Sequence, residues 1–419
     1  MTLDLEQIAA HLPALRERQA EAARERQARL QAALAQATGP LAEPGALVAR
    51  IGEPRTSWSW AQPLDRLDAR CRSTAPPARY TVVATDGSHV APDRHASLAY
   101  YVVNVGRVRL HYGVEPSATL DSVAVLEDRE DALMVRSSAD ASAEERVSGA
   151  LLGGLRAVRE LQAVADLAEA EPGDWPVVGL LDGTLVPWAL APLVSGTGRE
   201  EVRRMLIDEG VVQALDRLRA VAARRQVVVA SYISNPNASE VVHALRLASC
   251  PLLDRGSPTE GVAWCERCPR GGPAGGRDCD RVGAEPDARP FRRLLAPGER
   301  SGVFLRRNVS RDAVEALVER AGHPVGFAYC NVGPEVARLE FPLWALQSGG
   351  AADLLHAVVQ DQATQGAGYP VALQEAHEQA VITAHDRGAL DGLLERTVGA
   401  ALGWGDVGAK RRSKLRRAV

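Results

Sequence analysis

The chain has 419 residues, of which 46% are hydrophobic, and a formal net charge of −4. This composition is typical of a globular protein with two or three domains' worth of core, and any surface that binds nucleic acid has to be local. No apolar run approaches the roughly 20 residues that a membrane span needs, and the first residues lack the apolar segment of a signal peptide, so we expect a cytoplasmic protein.

The N-terminal segment is predicted to be a helical arm. Residues 3–37 are rich in Ala, Arg, Glu and Gln, and Ile8, Leu12 and Leu15 share one face of the predicted helix. This pattern fits a solvated helix packed along one edge of the protein. It fits a dimer-forming arm equally well.

The first strong strand signal begins at Tyr80, where the sequence reads YTVVATDGSHV. Its first five residues are apolar or β-branched, as in a strand buried on both faces. Asp86 follows, and Gly87 permits a turn that most residues cannot make, so we expect Asp86 to lie just past the end of the strand. The apolar run at 177–181 is followed in the same way by Asp182-Gly183-Thr184.

The segments around these two strands predict a mixed sheet flanked by helices. Three strands should form an antiparallel meander with the first one, with a hairpin at Gly106-Arg107, and β-α-β crossovers should follow. The predicted strands are 97–105, 108–113, 120–126, 227–232, 302–307, 325–330 and 336–341, and the predicted helices are 142–169, 198–224, 239–247, 311–321 and 351–365. Because ligands in open α/β sheets bind beyond the carboxyl ends of strands, Asp86 and Asp182 lie where a site is expected.

Composition shifts along the chain predict four regions. Residues 249–297 are crowded with Gly, Pro, Arg and Cys, which indicates an irregular insertion in the α/β core. The predicted regions are a helical arm at 1–75, the core at 76–248 and 298–400, the insertion at 249–297 and a basic tail at 401–419.

Two neighbouring carboxylates repel each other unless a cation or a proton separates them, so Asp86 and Asp182 predict a divalent metal site. Glu160 is our choice for a third acid because it interrupts an apolar helix face, although Glu145 and Glu169 are rivals. Hard carboxylate oxygens suit Mg²⁺ or Mn²⁺, which keep coordination positions open for substrate phosphates. Two such ions about 4 Å apart activate water and stabilise the leaving oxygen of a phosphodiester.

A second candidate cluster lies near the C-terminus, in the sequence GYPVALQEAH from Gly368 to His377. Pro370 is well placed at the first position of a helix, and Tyr369 and His377 lie about two turns apart along it. By themselves, a tyrosine and a histidine in this setting are more often packing residues than catalytic ones.

Taken together, these motifs resemble the NurA nucleases. The resemblance is carried by Asp86-Gly87-Ser88, Leu181–Leu185, Arg338–Pro342 and the Gly368-Tyr369-Pro370 helix with His377, and it runs from about residue 78 to 400. It implies an RNase H-like core, dependence on Mn²⁺, and hydrolysis of DNA. The activities implied are 5′–3′ exonuclease and single-strand endonuclease activity in double-strand-break end resection. The implied partners are single-stranded DNA, duplex ends, a second copy of the chain and the hexameric HerA translocase.

The resemblance also implies roles for individual residues. Asp86 and Asp182 would be metal carboxylates with Glu160 as the third, and Tyr369 and His377 would complete the site. His377 would bind metal or move a proton, and Tyr369 would position a phosphate or stack on a base. Two further interpretations remain open for Arg338, namely contact with a DNA phosphate and a structural ion pair with Glu340.

Two other functions fit parts of the pattern. The first is a catalytically weak clamp that binds DNA ends for a translocase, which the intact pair Asp86 and Asp182 disfavours. The second is an actin-like phosphotransferase, because that fold also uses Asp-Gly-Ser/Thr turns. No convincing adenosine-binding Gly-Gly pair follows a strand, so this function ranks last.

Four of the six cysteines, Cys250, Cys265, Cys268 and Cys279, fall in the predicted insertion. Four thiolates in one Gly/Pro-rich loop suit a structural Zn²⁺ or an iron–sulfur cluster, and a loop with free thiols is the alternative.

The basic tail contains Lys410, Arg411 and Arg412, which are candidates for binding DNA phosphates. A disordered solubilising end is equally consistent with its composition.

Overall fold

The structure is a computed structural model. It describes residues 5–9, 11–54, 56–93, 98–136, 144–187, 190–195, 199–250, 253, 265, 268, 278–283, 285–307 and 314–398.

The described residues form a mixed α/β protein. The strands are β1 Trp60–Pro63, β2 Cys71–Arg72, β3 Tyr80–Val90, β4 Tyr101–Tyr112, β5 Ser117–Glu127, β6 Met134–Arg136, β7 Glu144–Arg146, β8 Val177–Asp182, β9 Val227–Ile233, β10 Glu299–Arg300, β11 Phe304–Arg307, β12 Val325–Asn331 and β13 Val336–Pro342. The α-helices are α1 Leu5–Ala9, α2 Leu12–Ala37, α3 Pro44–Ile51, α4 Glu130–Leu133, α5 Gly149–Ala170, α6 Ala191–Val194, α7 Glu200–Arg203, α8 Gln213–Ala222, α9 Glu240–Ala248, α10 Ala288–Leu294, α11 Val314–Arg320, α12 Ala351–Gln365, α13 Val371–Ala380 and α14 Ala384–Val398. A π-helical stretch, Arg204–Val212, links α7 to α8.

The chain divides into two compact units. The first consists of Met1–Arg72, Ser234–Val309 and Gly326–Arg338, and the second of Ser73–Ile233, Ser310–Val325 and Leu339–Val419. The four regions expected from composition stay a prediction. Within the described part of the chain, no helix has the length and apolar character required to cross a membrane.

The second unit is built on five strands in the order β5-β4-β3-β8-β9. β3, β4 and β5 pair antiparallel, as the predicted meander requires, whereas β3, β8 and β9 run parallel. The parallel strands are joined by helical crossovers, α5 between β3 and β8, and α7 and α8 between β8 and β9. The predicted fold class, an RNase H-like mixed sheet flanked by helices, is confirmed.

The strand β3 is longer than predicted and does not turn at Gly87. It continues to Val90 and stays paired with β4 throughout, with Asp86 opposite Gly106 and Gly87 opposite Val105. Gly87 is needed for a different reason. A Cβ atom at this position would lie 2.4 Å from Oε1 of Glu160, so the absence of a side chain lets α5 approach the strand.

The predicted hairpin at Gly106-Arg107 is also wrong, because β4 is one continuous strand through these residues. A Cβ atom on Gly106 would lie 2.2 Å from the backbone oxygen of Ala376 and 2.6 Å from the backbone nitrogen of Ala380. Gly106 therefore leaves room for α13 to pack directly on the sheet. The side chains of Ser88 and Asn104 secure the end of that helix by donating hydrogen bonds to the backbone oxygen of Ala380.

The two faces of β3 consequently carry different helices. Thr85 donates a hydrogen bond to the backbone oxygen of Glu160 in α5, whereas Ser88 bonds to the end of α13. Residues of odd and even number point to opposite faces of a strand, which explains why these two side chains reach different helices. Glu160 and His377 thus approach the carboxyl end of β3 from opposite sides of the sheet.

The first unit contains short strands that pair antiparallel. β1 pairs with β11, β11 with β12, β12 with β10, and β10 with β2. Its core combines aliphatic residues from the helices with an aromatic cluster on the strands and α10, in which Phe291 stacks on Tyr329 and Phe304 on Phe327. Such stacked ring pairs stabilise a core beyond the area that they bury.

We expect Gly106→Ala to destabilise the protein, because the added methyl group would overlap the backbone of α13, which cannot yield as a side-chain end would. The expected loss is about 1–3 kcal/mol, measured as the free energy of unfolding in urea. Gly153→Ala is the matched control, because nothing lies within 4 Å of a Cβ atom there and the residue is inside α5. An equal loss in both variants would contradict the predicted overlap.

Candidate active site

The candidate site lies in the second unit, where Asp86 lies within the C-terminal half of β3 and Asp182 is the last residue of β8. Thr85 and Leu181 are paired in the parallel ladder, so Asp86 and Asp182 follow at the same level on neighbouring strands. The Asp86 side chain is 15% exposed and Asp182 is exposed. The register therefore brings together the two acids that the sequence singled out.

His377 reaches Asp86 from α13. Its Nδ1 atom lies 2.7 Å from Oδ2 of Asp86, and its ring is 68% exposed. An ionised carboxylate only accepts hydrogen bonds, so Nδ1 is the donor in this contact, and in the neutral imidazole Nε2 keeps a lone pair. The contact joins residues 291 positions apart in the chain.

The turn after Asp182 is held by a buried acid. Gly183 has φ of +80°, in the left-handed region that favours glycine, and this lets the chain turn sharply as predicted. Oε2 of Glu340 accepts hydrogen bonds from the Thr184 hydroxyl at 2.7 Å and the Leu185 amide at 3.1 Å. Glu340, 3% exposed, thereby fixes the segment that follows Asp182.

Glu160 is the third acid at this end of the sheet. It is 7% exposed, and its Oε1 atom is buried without a hydrogen-bond partner. Burial is the main cause that raises the pKa of this carboxyl group to about 8; the charge of Arg156 opposes the rise, and the charges of Asp86 and Asp182 add to it. Glu160 Oε1 reaches the position where a Cβ atom of Gly87 would lie, next to Asp86 in the chain, and the charges of both aspartates act on its carboxyl group.

Arg156 lies one helical turn before Glu160 and was missed in the sequence. Its Nη1 group donates a hydrogen bond of 3.1 Å to the backbone oxygen of Gly87, and its Nε is 3.1 Å from Oε1 of Glu160 without the alignment of a hydrogen bond. The spacing of four residues from an acid was the available signal, because such pairs face each other on a helix. Burial lowers the pKa of His89, and the positive charge of Arg156 lowers it further.

Tyr369 is placed near the Asp182 strand by an aromatic contact. Its ring packs edge-on against Tyr232, with ring centroids 5.4 Å apart and an interplanar angle of 90°. Tyr232 is fully buried and is the residue of β9 paired with Asp182. The five predicted site residues thus all come from the same end of this sheet and the helices packed against it.

The two rivals of Glu160 lie elsewhere. Glu145 is in β7, where its backbone pairs with Val135. Glu169 is near the C-terminal end of α5, and Arg217 donates two hydrogen bonds to its carboxylate, which lowers its pKa. Glu169 is therefore part of a surface ion pair.

The structure corrects the predicted DNA contact of Arg338. The residue is 1% exposed in the first unit, its Nη1 donates a hydrogen bond of 2.9 Å to Glu240, and its guanidinium stacks on Phe327 at 3.7 Å. A phosphate cannot reach a buried guanidinium that is already paired. The sequence interpretation failed because the partner, Glu240, is far away along the chain. Lys410, Arg411 and Arg412 lie outside the described residues.

The four clustered cysteines are neighbours in the first unit. They form no disulfide bond with one another, and burial raises the pKa of the Cys265 and Cys279 thiols, with smaller contributions from nearby cysteines. Nevertheless, in the ranges that the structure covers, no three His, Cys, Asp or Glu side chains are arranged to hold a metal ion, either here or at the acidic cluster.

The donor set of the acidic cluster nevertheless fits a divalent cation. Asp86, Asp182 and Glu160 offer hard carboxylate oxygens, and the buried Oε1 of Glu160 has no hydrogen bond in exchange for its lost hydration. A bound cation would offset the repulsion among the three acids and would give the Oε1 atom of Glu160 a partner.

The family model that matches this chain is the NurA domain, over residues 80–382. The matched segment contains all five predicted active-site residues and most of the chain. The chain therefore belongs to the NurA family, and this membership together with the RNase H-like sheet supports a nuclease.

Two solved structures are among those similar to the chain. LC9-RNase H1, a type 1 RNase H with the type 2 active-site motif, has 14% sequence identity and a TM-score of 0.21, and the match covers 42% of this chain and 72% of that protein. The protease-reverse transcriptase of prototype foamy virus has 13% identity and a TM-score of 0.18, with coverage of 37% and 18%. No curated protein matches this chain.

The pKa of Glu160 predicts how a Glu160→Gln variant should behave without metal. The folded state keeps the proton up to about pH 8, whereas the unfolded chain releases it near pH 4.5, so wild-type stability falls as pH rises between these values. Glu160→Gln removes this dependence and should be more stable than wild type above pH 8, by about 1–3 kcal/mol.

Thermal unfolding in the presence of a chelator, at about pH 5 and about pH 9, measures this difference. We expect the advantage of Glu160→Gln to be largest at the higher pH and to shrink at the lower one. An advantage that does not change with pH would contradict a raised pKa at Glu160. Added Mn²⁺ should favour the wild type, because the amide is a poorer ligand.

Proposed function

We propose that this protein is a Mn²⁺-dependent deoxyribonuclease that acts in the cytoplasm on DNA ends. The observation that carries the proposal is the buried Oε1 atom of Glu160, which makes no aligned hydrogen bond and belongs to a carboxyl group on which the charges of Asp86 and Asp182 act. In a member of the NurA family with an RNase H-like sheet, this cluster supports a metal centre for phosphodiester hydrolysis.

Asp86, Glu160 and Asp182 would hold the metal ions. When bound, Mn²⁺ would supply activation of the attacking water and stabilisation of the leaving oxygen. Asp86 keeps the His377 ring in the tautomer with a free Nε2, which is able to accept a proton from the attacking water. Glu340 keeps the turn after Asp182 in place through Thr184.

Tyr369 has the geometry of a side chain that positions substrate. Its ring is held by Tyr232 from the strand beside Asp182, so the phenol is limited in orientation. We infer that it contacts a phosphate or stacks on a base of the strand being cut. A Tyr369→Phe variant distinguishes phosphate contact from base stacking, because only stacking is retained when the hydroxyl group is lost.

We also propose 5′–3′ exonuclease and single-strand endonuclease activity in end resection, together with a homodimer that docks on a HerA-type hexameric ATPase. These finer statements are supported by the NurA family resemblance. Light scattering of the purified chain tests the dimer, and a monomer at working concentration would refute it. Co-elution with the ATPase tests the partnership.

We expect Asp86→Ala, Asp182→Ala and Glu160→Ala each to reduce the rate of nucleotide release from a labelled single strand by about 100-fold or more in Mn²⁺, because each removes a ligand of the metal centre. Glu169→Ala is the matched control, since this acid is on the same helix as Glu160 but is paired with Arg217 at the surface. Persistent cleavage by Asp86→Ala would refute the proposed site.

The structural metal at Cys250, Cys265, Cys268 and Cys279 stays a prediction, with zinc as the expected ion. Elemental analysis of the purified protein should then show about one zinc per chain, lost in a Cys265→Ser/Cys268→Ser variant. Cys71→Ser is the control, because this cysteine lies outside the cluster. Absence of both zinc and iron from the wild-type protein would show that the four residues are free thiols.

A further inference from the structure

Arg156 is a positive charge placed against the acidic cluster. Its Nη1 donates to the backbone oxygen of Gly87, the residue after Asp86, and its Nε is 3.1 Å from Oε1 of Glu160. The contact with Gly87 spans from α5 to β3, which fixes the guanidinium at the end of the strand. A structural role in neutralising Glu160 is one explanation of this placement.

The contacts of Arg156 leave much of its guanidinium uncommitted. A guanidinium has five N–H donors, and among the residues that the structure describes only the Nη1 group of Arg156 makes a hydrogen bond, because the contact of Nε with Glu160 lacks the required alignment. The side chain is 37% exposed, whereas that of Glu160 is 10% exposed. Arg156 therefore extends from the buried carboxylate toward solvent with donors available.

The negative charge around the acidic cluster suggests what the unused donors of Arg156 bind. Three carboxylates lie at this end of the sheet, the whole chain has a net charge of −4, and a DNA strand brings further negative charge. A guanidinium matches two oxygens of a phosphate in a forked contact and keeps its charge at all working pH values. Metal ions bound by Glu160 would replace Arg156 as the counter-charge of that acid.

We propose that Arg156 binds a phosphate of the DNA strand next to the metal centre, through the donors that Gly87 and Glu160 leave unused. This inference rests on the proposed nuclease function and adds a substrate-binding residue to it. The anchor on Gly87 holds the guanidinium in place before DNA arrives, so little side-chain freedom is lost on binding. Arg156 would thus couple the position of the DNA backbone to the carboxylates.

The test compares Arg156→Ala and Arg156→Lys with Arg159→Ala. Arg159 is a partly buried arginine of the same helix whose charge acts on Tyr101. Binding of a short fluorescent single strand is measured by anisotropy in Ca²⁺ over a range of salt concentrations, and cleavage is measured in Mn²⁺. Melting temperatures in chelator establish that each variant is folded.

We expect Arg156→Ala to weaken DNA binding about tenfold and to lower the slope of log Kd against log salt by about 0.7, the value for one phosphate contact on a single strand. Arg156→Lys should keep the slope but bind severalfold more weakly, because the fork is lost. Arg159→Ala should match the wild type in both quantities.

Two results would overturn the proposal. One is that Arg156→Ala binds the single strand with the same Kd, and with the same slope of log Kd against log salt, as Arg159→Ala. The other is a loss confined to kcat and to the Mn²⁺ concentration required, with an unchanged salt slope, which would show that Arg156 only positions Glu160. If Asp86→Ala cleaves normally, the nuclease site itself is wrong, whereas an inactive Asp86→Ala with unaffected Arg156 variants rejects only this inference.

Discussion

The repulsion among three carboxylates at one end of a sheet is the constraint on which the site depends. Glu160 is buried beside Asp86 and Asp182, and one of its oxygens has no hydrogen bond. Such a group is costly unless it keeps a proton or meets a cation. Arg156 offsets part of this cost but is not aligned to satisfy the oxygen. The arrangement is therefore suited to binding metal more than to stabilising the metal-free protein.

Two glycines make this arrangement possible. Gly87 lets α5 bring Glu160 close to β3, and Gly106, which is opposite Asp86 in β4, lets α13 bring His377 to Asp86 from the opposite face. A side chain at either position would push a helix away from the strand that supplies the first carboxylate. Glu160 and His377 therefore reach β3 from opposite faces of the sheet. Their close approach depends on two glycines, which have no side chain.

Much of the second unit could be predicted from local sequence. Runs of apolar and β-branched residues predicted β3, β8 and β9. Gly183, whose φ angle is in the left-handed region, makes the turn that was expected after Asp182. Gly87 and Gly106 were misinterpreted as turns because glycine in a short pattern indicates a bend, whereas here helices distant in sequence require the space. Arg338 and Arg156 show the same limit, because burial by remote residues and partners across elements leave only weak signals in the chain.

The contact between His377 and Asp86 links residues 291 positions apart. A ribosome synthesises one of them long before the other, so the three acids are present in the nascent polypeptide while the imidazole is still missing. A part of the chain that folds before α13 is synthesised would contain Asp86, Glu160 and Asp182 without His377. In the proposed nuclease, a fragment released by stalled translation before α13 would therefore carry the three acids without His377.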